Sequence, residues 1–390
     1  MYKEFTIIEG CDYEKYPIGG QSIFAGNLAK SFGSQAYLVG ITMDGTHVGK
    51  WNKKIINGIE YNYFSYAKRR NYSNKPLIPL RILSYLDIRK YKKEIMSFGP
   101  KHVFIQSPEI LFAVYNWGWD SICYRFPGVR SPLEMPRYKW GKLFNKQFDN
   151  TLFKTLKNVD IILAAADDIE IDNLVMRSNG KLDKKRVIKF PTRVDTSVFY
   201  PIPKEIAKKK LNINGYYPIF VVNGRLSRTK GWELILESYE IILRDYPSSK
   251  LFFVGDGEDR GIIENEIKKK NMSENIEVVG MKTRESLAMY LNSSDVLLSA
   301  SFLEGWPTSI VEALACGNTI VSTNVSGVRD MVINGKNGFI VNKRCPLEYA
   351  NSIKKSLKLN NAKDYSLKLA KEFSIGSIKI DFQKYWLSRI

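Results

Sequence analysis

The sequence predicts an α/β fold with two doubly wound domains, each built on a mainly parallel sheet. Short apolar or β-branched runs alternate with amphipathic segments of helix length along the chain, which is the pattern of βαβ units. A chain of 390 residues is long enough for two such domains. The alternation pauses once, at residues 191–203, where three prolines indicate an extended connection between the domains.

Composition excludes several classes of protein. Apolar residues make up 44% and charged residues 25%, which excludes disordered, collagenous and coiled-coil proteins. The longest uncharged apolar stretches run about ten residues, short of the ~20 that span a bilayer. The first residues lack the features of a signal peptide, so we expect a cytoplasmic protein. Four scattered cysteines and two histidines offer no zinc cluster, and we expect reduced thiols.

The first domain is predicted over residues 1–195. Its candidate strands are the short apolar runs Phe5–Ile8, Tyr37–Ile41, Gly58–Phe64, His102–Gln106, Ser121–Arg125, Ile161–Ala165 and Arg186–Phe190. Helical patterns fall between several of them, for example at Gln21–Ser31, Arg81–Phe98 and Leu143–Lys157.

The second domain is predicted over residues 196–375. Its candidate strands are Ile219–Asn223, Leu251–Val254, Ile276–Val279, Val296–Ala300, Thr319–Ser322 and Gly338–Val341. Its candidate helices are Trp232–Tyr246, Gly261–Asn271, Ser286–Leu291, Thr308–Cys316 and helices within 346–374, and an amphipathic stretch closes the chain at Ile378–Ile390. Ligands of open α/β sheets bind beyond the carboxyl ends of the strands. Two such domains that face each other would form a cleft, and we expect the ligand to bind there.

Net charge is unusual. The chain has 59 Lys and Arg against 40 Asp and Glu, a net charge of +19, and residues 1–200 hold +12 of it. Lys50–Lys101 carries 13 basic and 3 acidic residues. Nucleic acid, an anionic membrane surface and a phosphorylated substrate all fit such a field, and so does a solvated lysine-rich surface.

A basic loop follows the first strand of the second domain. Its sequence, Asn223-Gly-Arg-Leu-Ser-Arg-Thr-Lys-Gly231, places Arg225 and Lys230 between glycines at a strand's carboxyl end. A planar guanidinium and a compact ammonium suit a diphosphate, and the glycines allow close approach of a ligand. A basic surface loop is the alternative.

A second motif follows the strand Val296–Ala300. Glu304 and Glu312 bracket a turn, Gly305-Trp306-Pro307, and a helix start at Thr308 and Ser309. The free N–H groups of that helix start, with the positive end of the helix dipole, form an anion site. The arrangement spans a nucleotide sugar, with sugar hydroxyls at Glu304, the diphosphate at the helix start and ribose hydroxyls at Glu312.

Residues from about 218 to 342 resemble the donor domain of retaining GT-B glycosyltransferases of family four. The resemblance rests on Glu304-x7-Glu312 and on the Gly-Arg-Leu-x3-Lys-Gly loop at 224–231. Segments 251–257, 279–281, 295–301 and 312–317 follow in the family's order and spacing. The resemblance implies two Rossmann-like domains, with Arg225 and Lys230 on the diphosphate. It also implies Glu304 on the transferred sugar, Glu312 on the ribose, and the backbone of residues 305–309 on sugar and phosphate oxygens.

The first half resembles the family more loosely. Gly19 and Gly20 resemble its glycine-rich loop at the donor phosphate, and residues 191–199 resemble its domain junction, with Thr192 and Arg193 in place of Asn-Gly. The architecture implies that a final helix, 376–390, packs back on the first domain. Many relatives carry a histidine near the cleft, whereas residues 124–128 here contain none. Arg125 in that segment either steadies an anionic acceptor or pairs with a neighbour.

These observations lead to one expected activity and several alternatives. No Asp-x-Asp triplet occurs, so we expect transfer that needs neither a metal ion nor a cofactor. The positive side chains of Arg225 and Lys230 would stabilise the charge on the leaving group instead. We expect retaining transfer of a hexose or N-acetylhexosamine from a UDP-sugar, with GDP-mannose as the alternative donor. A nucleic-acid-binding protein is the alternative from another class, although no RNA- or DNA-binding motif occurs. An epimerase or phosphorylase of similar architecture is a third hypothesis.

The acceptor is inferred from charge, aromatic content and resemblance. The basic first half and the aromatic segments 115–119 and 138–144 fit docking at an anionic membrane, on its cytoplasmic face. A helix that covers its own sheet is the alternative reading of these segments. The expected acceptor is a saccharide, in particular a lipid-diphosphate-linked one of surface-polysaccharide or O-antigen synthesis.

Overall fold

The computed structural model describes residues 3–14, 20–44, 47–69, 78–134 and 139–389. Within them the chain forms two compact units, residues 1–191 with 375–390 (unit 1) and residues 192–374 (unit 2). The boundary lies four residues before the predicted one. Each unit contains one largely parallel sheet, and the predicted α/β class with doubly wound sheets is confirmed.

Unit 1 contains an eight-stranded sheet in the order β3-β4-β2-β1-β5-β6-β7-β8. Its strands are β1 Phe5–Ile8, β2 Ala36–Thr42, β3 Trp51–Ile56, β4 Ile59–Lys68, β5 His102–Ile105, β6 Ser121–Phe126, β7 Ile161–Ala164 and β8 Val187–Lys189. Its helices are α1 Gly20–Phe32, α2 Leu80–Ile88, α3 Lys92–Phe98, α4 Pro108–Val114, α5 Asn145–Thr155 and α6 Asp168–Arg177. Near the C-terminus, α15 Gly376–Phe382 and the π-helical turn Gln383–Leu387 that follows it also belong to this unit.

The strands of unit 1 bury both faces of the sheet. Along β1, Phe5 and Ile7 point into one hydrophobic core while Ile8 points into the other. Along β5, Phe104 shares the core of Phe5. Successive side chains of a strand point to opposite faces, so helices must cover both. The C-terminal segment closes one core, where the Trp386 ring is fully buried and its Nε1 donates to Ser121 Oγ at 2.7 Å.

One strand of unit 1 was missing from the sequence prediction. β3 pairs antiparallel with β4 through a two-residue turn at Asn57 and Gly58, both with positive φ. Such an Asn-Gly turn between apolar runs is the strongest local signal for a hairpin. The prediction began a strand at Gly58, whereas β4 begins at Ile59, directly after the turn.

Unit 2 contains a six-stranded, fully parallel sheet in the order β11-β10-β9-β12-β13-β14. Its strands are β9 Ile219–Asn223, β10 Lys250–Val254, β11 Ile276–Gly280, β12 Val296–Ser299, β13 Thr319–Thr323 and β14 Gly338–Val341. Its helices are α7 Lys204–Leu211, α8 Trp232–Asp245, α9 Arg260–Lys269, α10 Arg284–Ser293, α11 Thr308–Cys316, α12 Val328–Met331, α13 Pro346–Ser356 and α14 Ala362–Glu372.

The segment predicted as a linker is packed rather than solvated. Residues 192–203 contain no helix or strand, as expected, yet Arg193 is 6% exposed and Phe199 is fully buried. The Val194 amide donates to the Phe373 carbonyl at 2.8 Å, and Arg193 Nη1 donates to the Glu372 carbonyl. These contacts fix the segment on unit 2, which explains why the boundary falls at Pro191.

Candidate active site

The two predicted motifs of unit 2 meet at one place in its sheet. β9 and β12 are neighbours, with β10 on the far side of β9 and β13 on the far side of β12. The chain order therefore reverses between them, and loops leaving the carboxyl ends of such a pair diverge and form a crevice. The basic loop 224–231 leaves β9, and the loop with Glu304 leaves β12.

Glycines hold the basic loop against its neighbours. Gly231 has φ +67°, and a Cβ on it would lie 2.0 Å from the Ala300 carbonyl oxygen. A Cβ on Gly255 would lie 1.9 Å from the Gly224 carbonyl oxygen. Only glycine permits such approaches, so the loop after β9 is pressed against the loops after β12 and β10.

Lys230 and Glu304 form an ion pair that joins the two motifs. Lys230 Nζ lies 2.5 Å from Glu304 Oε1, and the Ser301 hydroxyl donates to the same oxygen at 2.7 Å. The Glu304 side chain is 13% exposed, whereas that of Lys230 is 32% exposed. Partial burial strengthens the pair relative to a surface pair. It holds one cation and one carboxylate side by side at the edge of the sheet.

Arg225 points to a different partner. Its Nε donates to Glu258 Oε2 at 2.9 Å, and both side chains are more than half exposed, 57% and 56%. Exposed ion pairs contribute little to stability, so an anionic ligand would replace Glu258 at small cost. The structure does not show Arg225 paired with the acidic residues of the second motif.

The second motif ends on an open helix N-terminus. Pro307 is the N-cap residue of α11, with no side-chain cap, and Thr308 and Ser309 are the first helical residues. Their amides therefore retain donor capacity at the positive end of the dipole, where an anion is stabilised. Gly305 and Pro307 lie in the turn that leads into this end.

The Trp306 side chain is buried inside unit 2. It is 4% exposed, and its ring packs on Phe373 with centroids 5.4 Å apart. A Cβ on Gly327 would meet the same ring at 2.9 Å. The indole thus anchors the turn in the core of unit 2, and only the backbone of this predicted donor-binding residue remains for a ligand.

Glu312 lies one turn into α11 and is buried. It is 7% exposed, and Asn223 Nδ2 at the end of β9 donates to its Oε2 at 2.9 Å. Burial disfavours the charged form and raises the pKa of Glu312 to about 7, although the hydrogen bond from Asn223 opposes this shift. Its carboxyl group therefore titrates near neutral pH.

Unit 1 contains a second buried carboxyl group at the carboxyl end of β1. Glu9 is 5% exposed, and it accepts hydrogen bonds from the Ser107 hydroxyl and the Gly10 amide. Burial raises the pKa of Glu9 to about 7. Gly20 begins α1 nearby in sequence, whereas Gly19 lies outside the described residues.

The sequence offers two roles for Arg125, contact with an anionic acceptor or pairing with a neighbour, and the structure places this residue in the interior of unit 1. It lies in β6 and is 1% exposed. Its Nη1 donates to Gln106 Oε1 at 2.9 Å, and its guanidinium lies 3.7 Å from the centroid of the Phe24 ring. A buried cation with these contacts is part of the interior of unit 1.

Three partners in the site were not predicted: Asn223, Ser301 and Glu258. Asn223 and Ser301 are polar residues at or just past the carboxyl ends of apolar strands, a signal that was available in the sequence. Glu258 had no such signal, because its contact with Arg225 depends on the neighbouring positions of β9 and β10.

Comparison with known proteins finds sequence matches to part of the chain. Residues 203–373 match the family model described as glycosyl transferases group 1. The chain is 28% identical over 203 residues to D-inositol 3-phosphate glycosyltransferase of Paenarthrobacter aurescens, which is 49% of this chain and 47% of that protein. The chain spans less than half the length of the curated relatives that it matches at 28 to 29% identity.

Solved structures match the chain over nearly its whole length. Sucrose-phosphate synthase from Thermosynechococcus elongatus superposes with a TM-score of 0.81 and 16% identity, over 99% of this chain and 98% of that one. Anabaena HepE in complex with UDP-glucose superposes with a TM-score of 0.74 and 14% identity, over 99% and 100%. The chain thus has the two-domain GT-B fold, and its residues 203–373 match the glycosyl transferases group 1 family.

Proposed function

We propose that this protein is a retaining glycosyltransferase whose donor is a nucleoside-diphosphate sugar, a UDP-sugar. The observation that carries the proposal is the arrangement at the β9 and β12 ends: the Lys230–Glu304 ion pair, the open N-terminus of α11 and the buried carboxyl of Glu312. A diphosphate needs cations and N–H donors, and the sugars on either side need hydroxyl acceptors. Lys230 supplies the cation, the start of α11 supplies the N–H donors, and Glu304 and Glu312 supply the acceptors for hydroxyls.

The chemical step follows from these groups. Lys230, Arg225 and the first amides of α11 stabilise the charge that develops on the departing diphosphate. Glu304 accepts hydrogen bonds from hydroxyls of the transferred sugar and orients it. The bond from the anomeric carbon to the phosphate oxygen breaks as the acceptor oxygen bonds on the same face. The acceptor proton passes to the departing phosphate, so this step requires no protein base.

The comparisons support the proposal in general terms. The relatives that match include a phosphatidylinositol N-acetylglucosaminyltransferase subunit of Arabidopsis thaliana and an α-monoglucosyldiacylglycerol synthase of Acholeplasma laidlawii. Those names concern an N-acetylhexosamine and a hexose, which are the two sugar classes we propose for this chain. A GDP-mannose donor is the alternative within the same fold.

The test of the proposal is thermal stabilisation by UDP, GDP and ADP. A ligand that binds only the native state raises its stability in proportion to the logarithm of its concentration over Kd. UDP should raise the melting temperature most, and a screen of UDP-sugars should then reveal donor turnover. Stronger stabilisation by GDP would select the GDP-mannose alternative, and no stabilisation by any of the three would contradict the proposal. Nucleotide release that depends on an added acceptor sugar separates transfer from epimerase or phosphorylase activity.

Replacing Lys230 with alanine should weaken UDP binding by about 10- to 100-fold, because a charge-assisted hydrogen bond contributes ~1.5–3 kcal/mol. The substitution also leaves the carboxylate of Glu304 without its cation beside the diphosphate. Calorimetric titration with UDP measures the effect. The matched control is Arg228→Ala, which removes an 87% exposed cation of the same loop and should leave the affinity unchanged. Equal affinities in wild type and Lys230→Ala would contradict the role of this loop.

Transfer should not depend on a divalent metal, because Lys230, Arg225 and the start of α11 supply the positive charge at the leaving group. Across the ranges that the structure describes, no group of three or more His, Cys, Asp or Glu side chains is arranged to hold a metal ion. We expect unchanged turnover in EDTA. A strict requirement for added Mn²⁺ or Mg²⁺ would show that this part of the proposal is wrong.

We further propose that the acceptor is a lipid-linked saccharide of surface-polysaccharide or O-antigen type, reached at an anionic membrane on the cytoplasmic face. Ile82 and Leu86 lie four residues apart on α2, Ile78 lies just before the helix, and each of the three is at least 42% exposed. Basic side chains flank this stripe, among them Arg81 and Lys90, which are 53% and 65% exposed. Apolar side chains beside exposed cations suit an anionic lipid surface.

One of the two predicted aromatic segments of unit 1, residues 138–144, supports the same proposal, whereas Trp117 of segment 115–119 is 8% exposed and lies in a hydrophobic core of unit 1. Trp140, Leu143 and Phe144 are all at least 49% exposed, while Tyr138 lies outside the described residues. Within the described part of the chain, no helix is long and apolar enough to cross a bilayer.

Vesicle sedimentation tests the membrane contact. The protein should bind vesicles that contain phosphatidylglycerol and not those of phosphatidylcholine alone. Replacing Leu86 and Leu143 by serine should reduce binding, whereas Ile262→Ser, at a position on α9 as exposed as Leu86, should not. Binding that does not respond to the two leucines would contradict the proposed surface. Tight, salt-dependent binding of random oligonucleotides would favour the nucleic-acid alternative.

A further inference from the structure

A third basic side chain, Arg344, contacts both loops of the candidate site. It follows β14 and precedes α13, at the same edge of the sheet as the loops after β9 and β12. Its Nη1 donates to the Ala300 carbonyl at 2.8 Å and lies 3.4 Å from the Ser301 carbonyl oxygen. Its guanidinium carbon lies 3.5 Å from the centroid of the Phe302 ring. One side chain thus contacts three consecutive residues of the loop that leads to Glu304.

Arg344 also touches the basic loop. A Cβ on Gly231 would lie 2.4 Å from Arg344 Nη2, so the guanidinium packs directly on the residue after Lys230. The Phe302 amide donates to the Thr229 carbonyl at 2.9 Å, on the other side of Lys230. The backbone on both sides of Lys230 is therefore fixed by residues that Arg344 contacts.

The connection to Glu304 is equally short. The Ser301 carbonyl near Arg344 also accepts a hydrogen bond from Thr323 Oγ1 at 2.7 Å. The hydroxyl of the same Ser301 donates to Glu304 Oε1. A guanidinium can stack on a ring and donate to carbonyls in one plane, which an ammonium cannot do simultaneously.

We propose that Arg344 is a positioning residue that sets the Lys230–Glu304 pair for the donor, by fixing the ends of the loops after β9 and β12. This inference rests on the proposed function and goes beyond it, because the two sequence motifs do not include Arg344. Arg344 acts through Lys230 and Glu304. Its loss should therefore displace both groups without removing either.

The test compares UDP binding and UDP-sugar hydrolysis in wild type, Arg344→Met and Arg344→Lys. We expect both variants to bind UDP about tenfold more weakly and to lose hydrolysis rate, since small displacements at a site cost one to two orders of magnitude. Lysine at this position should not restore UDP affinity or the hydrolysis rate, because its charge alone does not reproduce the stacked, planar contacts of arginine. The adjacent Lys343→Met is the control, and it should behave as wild type. Circular dichroism well below the melting temperature establishes that each variant is folded.

A double variant separates positioning from a general structural role. If Arg344 acts through Lys230, Lys230→Ala with Arg344→Met should bind UDP no more weakly than Lys230→Ala alone. Additive losses, full rescue by lysine, or wild-type affinity in Arg344→Met would each overturn the inference. If Arg344→Met does not fold, the same measurements are made with Arg344→Lys and Phe302→Leu. Absence of UDP binding by the wild type would instead overturn the proposed function, and this inference with it.

Discussion

Replacing Glu304 with alanine should reduce glycosyl transfer by about 10²–10³-fold or more while nucleotide binding stays largely intact, because the carboxylate acts on the transferred sugar. In the structure this carboxylate neutralises Lys230. Its removal leaves the ammonium free for the diphosphate, so UDP affinity should be kept or increased. Steady-state transfer rates and calorimetric titration with UDP give the two quantities separately.

Two further variants isolate the role of the Glu304 charge. Glu304→Gln keeps the shape of the side chain and should still lose most of the transfer rate, because a neutral amide accepts hydrogen bonds more weakly. Glu258→Ala removes another carboxylate near the basic loop, 56% exposed and paired with Arg225, and should leave the rate nearly unchanged. A parallel loss of transfer and of UDP affinity in Glu304→Ala would contradict the assignment to the sugar.

Replacing Glu312 with glutamine should stabilise the protein at pH 8 and weaken the donor complex. The pKa of this buried carboxyl is raised to about 7 in the folded protein, above the ordinary value near 4.5. The folded state then binds more protons than the unfolded state, so this group's contribution to stability falls as pH rises from about 4.5 to about 7. Glutamine is neutral throughout. The variant should therefore gain up to ~3 kcal/mol at pH 8 and much less at pH 5.

Urea unfolding at the two pH values measures that difference. The same variant should bind UDP about tenfold more weakly at pH 8, because an ionised carboxylate accepts ribose hydroxyls more strongly than an amide does. Glu9→Gln is the matched control. Burial raises the pKa of Glu9 to about 7 as well, so this variant should show the same dependence of stability on pH. It should leave UDP affinity unchanged. A stability gain that is equal at pH 5 and pH 8 would contradict the account of Glu312.

The sequence was sufficient to predict most elements of unit 2 because their signals are local. β9, β14 and α11 begin and end where predicted, since each is an uninterrupted apolar or amphipathic run bounded by glycine, proline or polar residues. The hairpin of β3 and β4 has an equally local signal in the Asn57-Gly58 turn between its two strands. The predicted helices do not include α6 and α7, of 10 and 8 residues, or the shorter α4 and α12, of 7 and 4 residues.

The contacts of the candidate site could not be predicted in the same way. Lys230 and Glu304 are 74 positions apart, and Asn223 and Glu312 are 89 apart. Each contact exists because β9 and β12 are neighbours, and strand order is a property of the whole sheet. The burial of Trp306 likewise depends on Phe373 and Gly327, which reach it from distant parts of unit 2. Residue types were thus predictable from the motifs, whereas partners and burial required the fold.

A crystal structure of the protein with the nucleoside diphosphate that stabilises it most tests the central claim directly. We predict the diphosphate within hydrogen-bond distance of Lys230 Nζ and the amides of Thr308 and Ser309, with ribose hydroxyls on the Glu312 carboxylate. Glu304 should then face the position of the transferred sugar. A nucleotide bound elsewhere on the chain, with Lys230, Glu304 and Glu312 making no contact to it, would contradict the account.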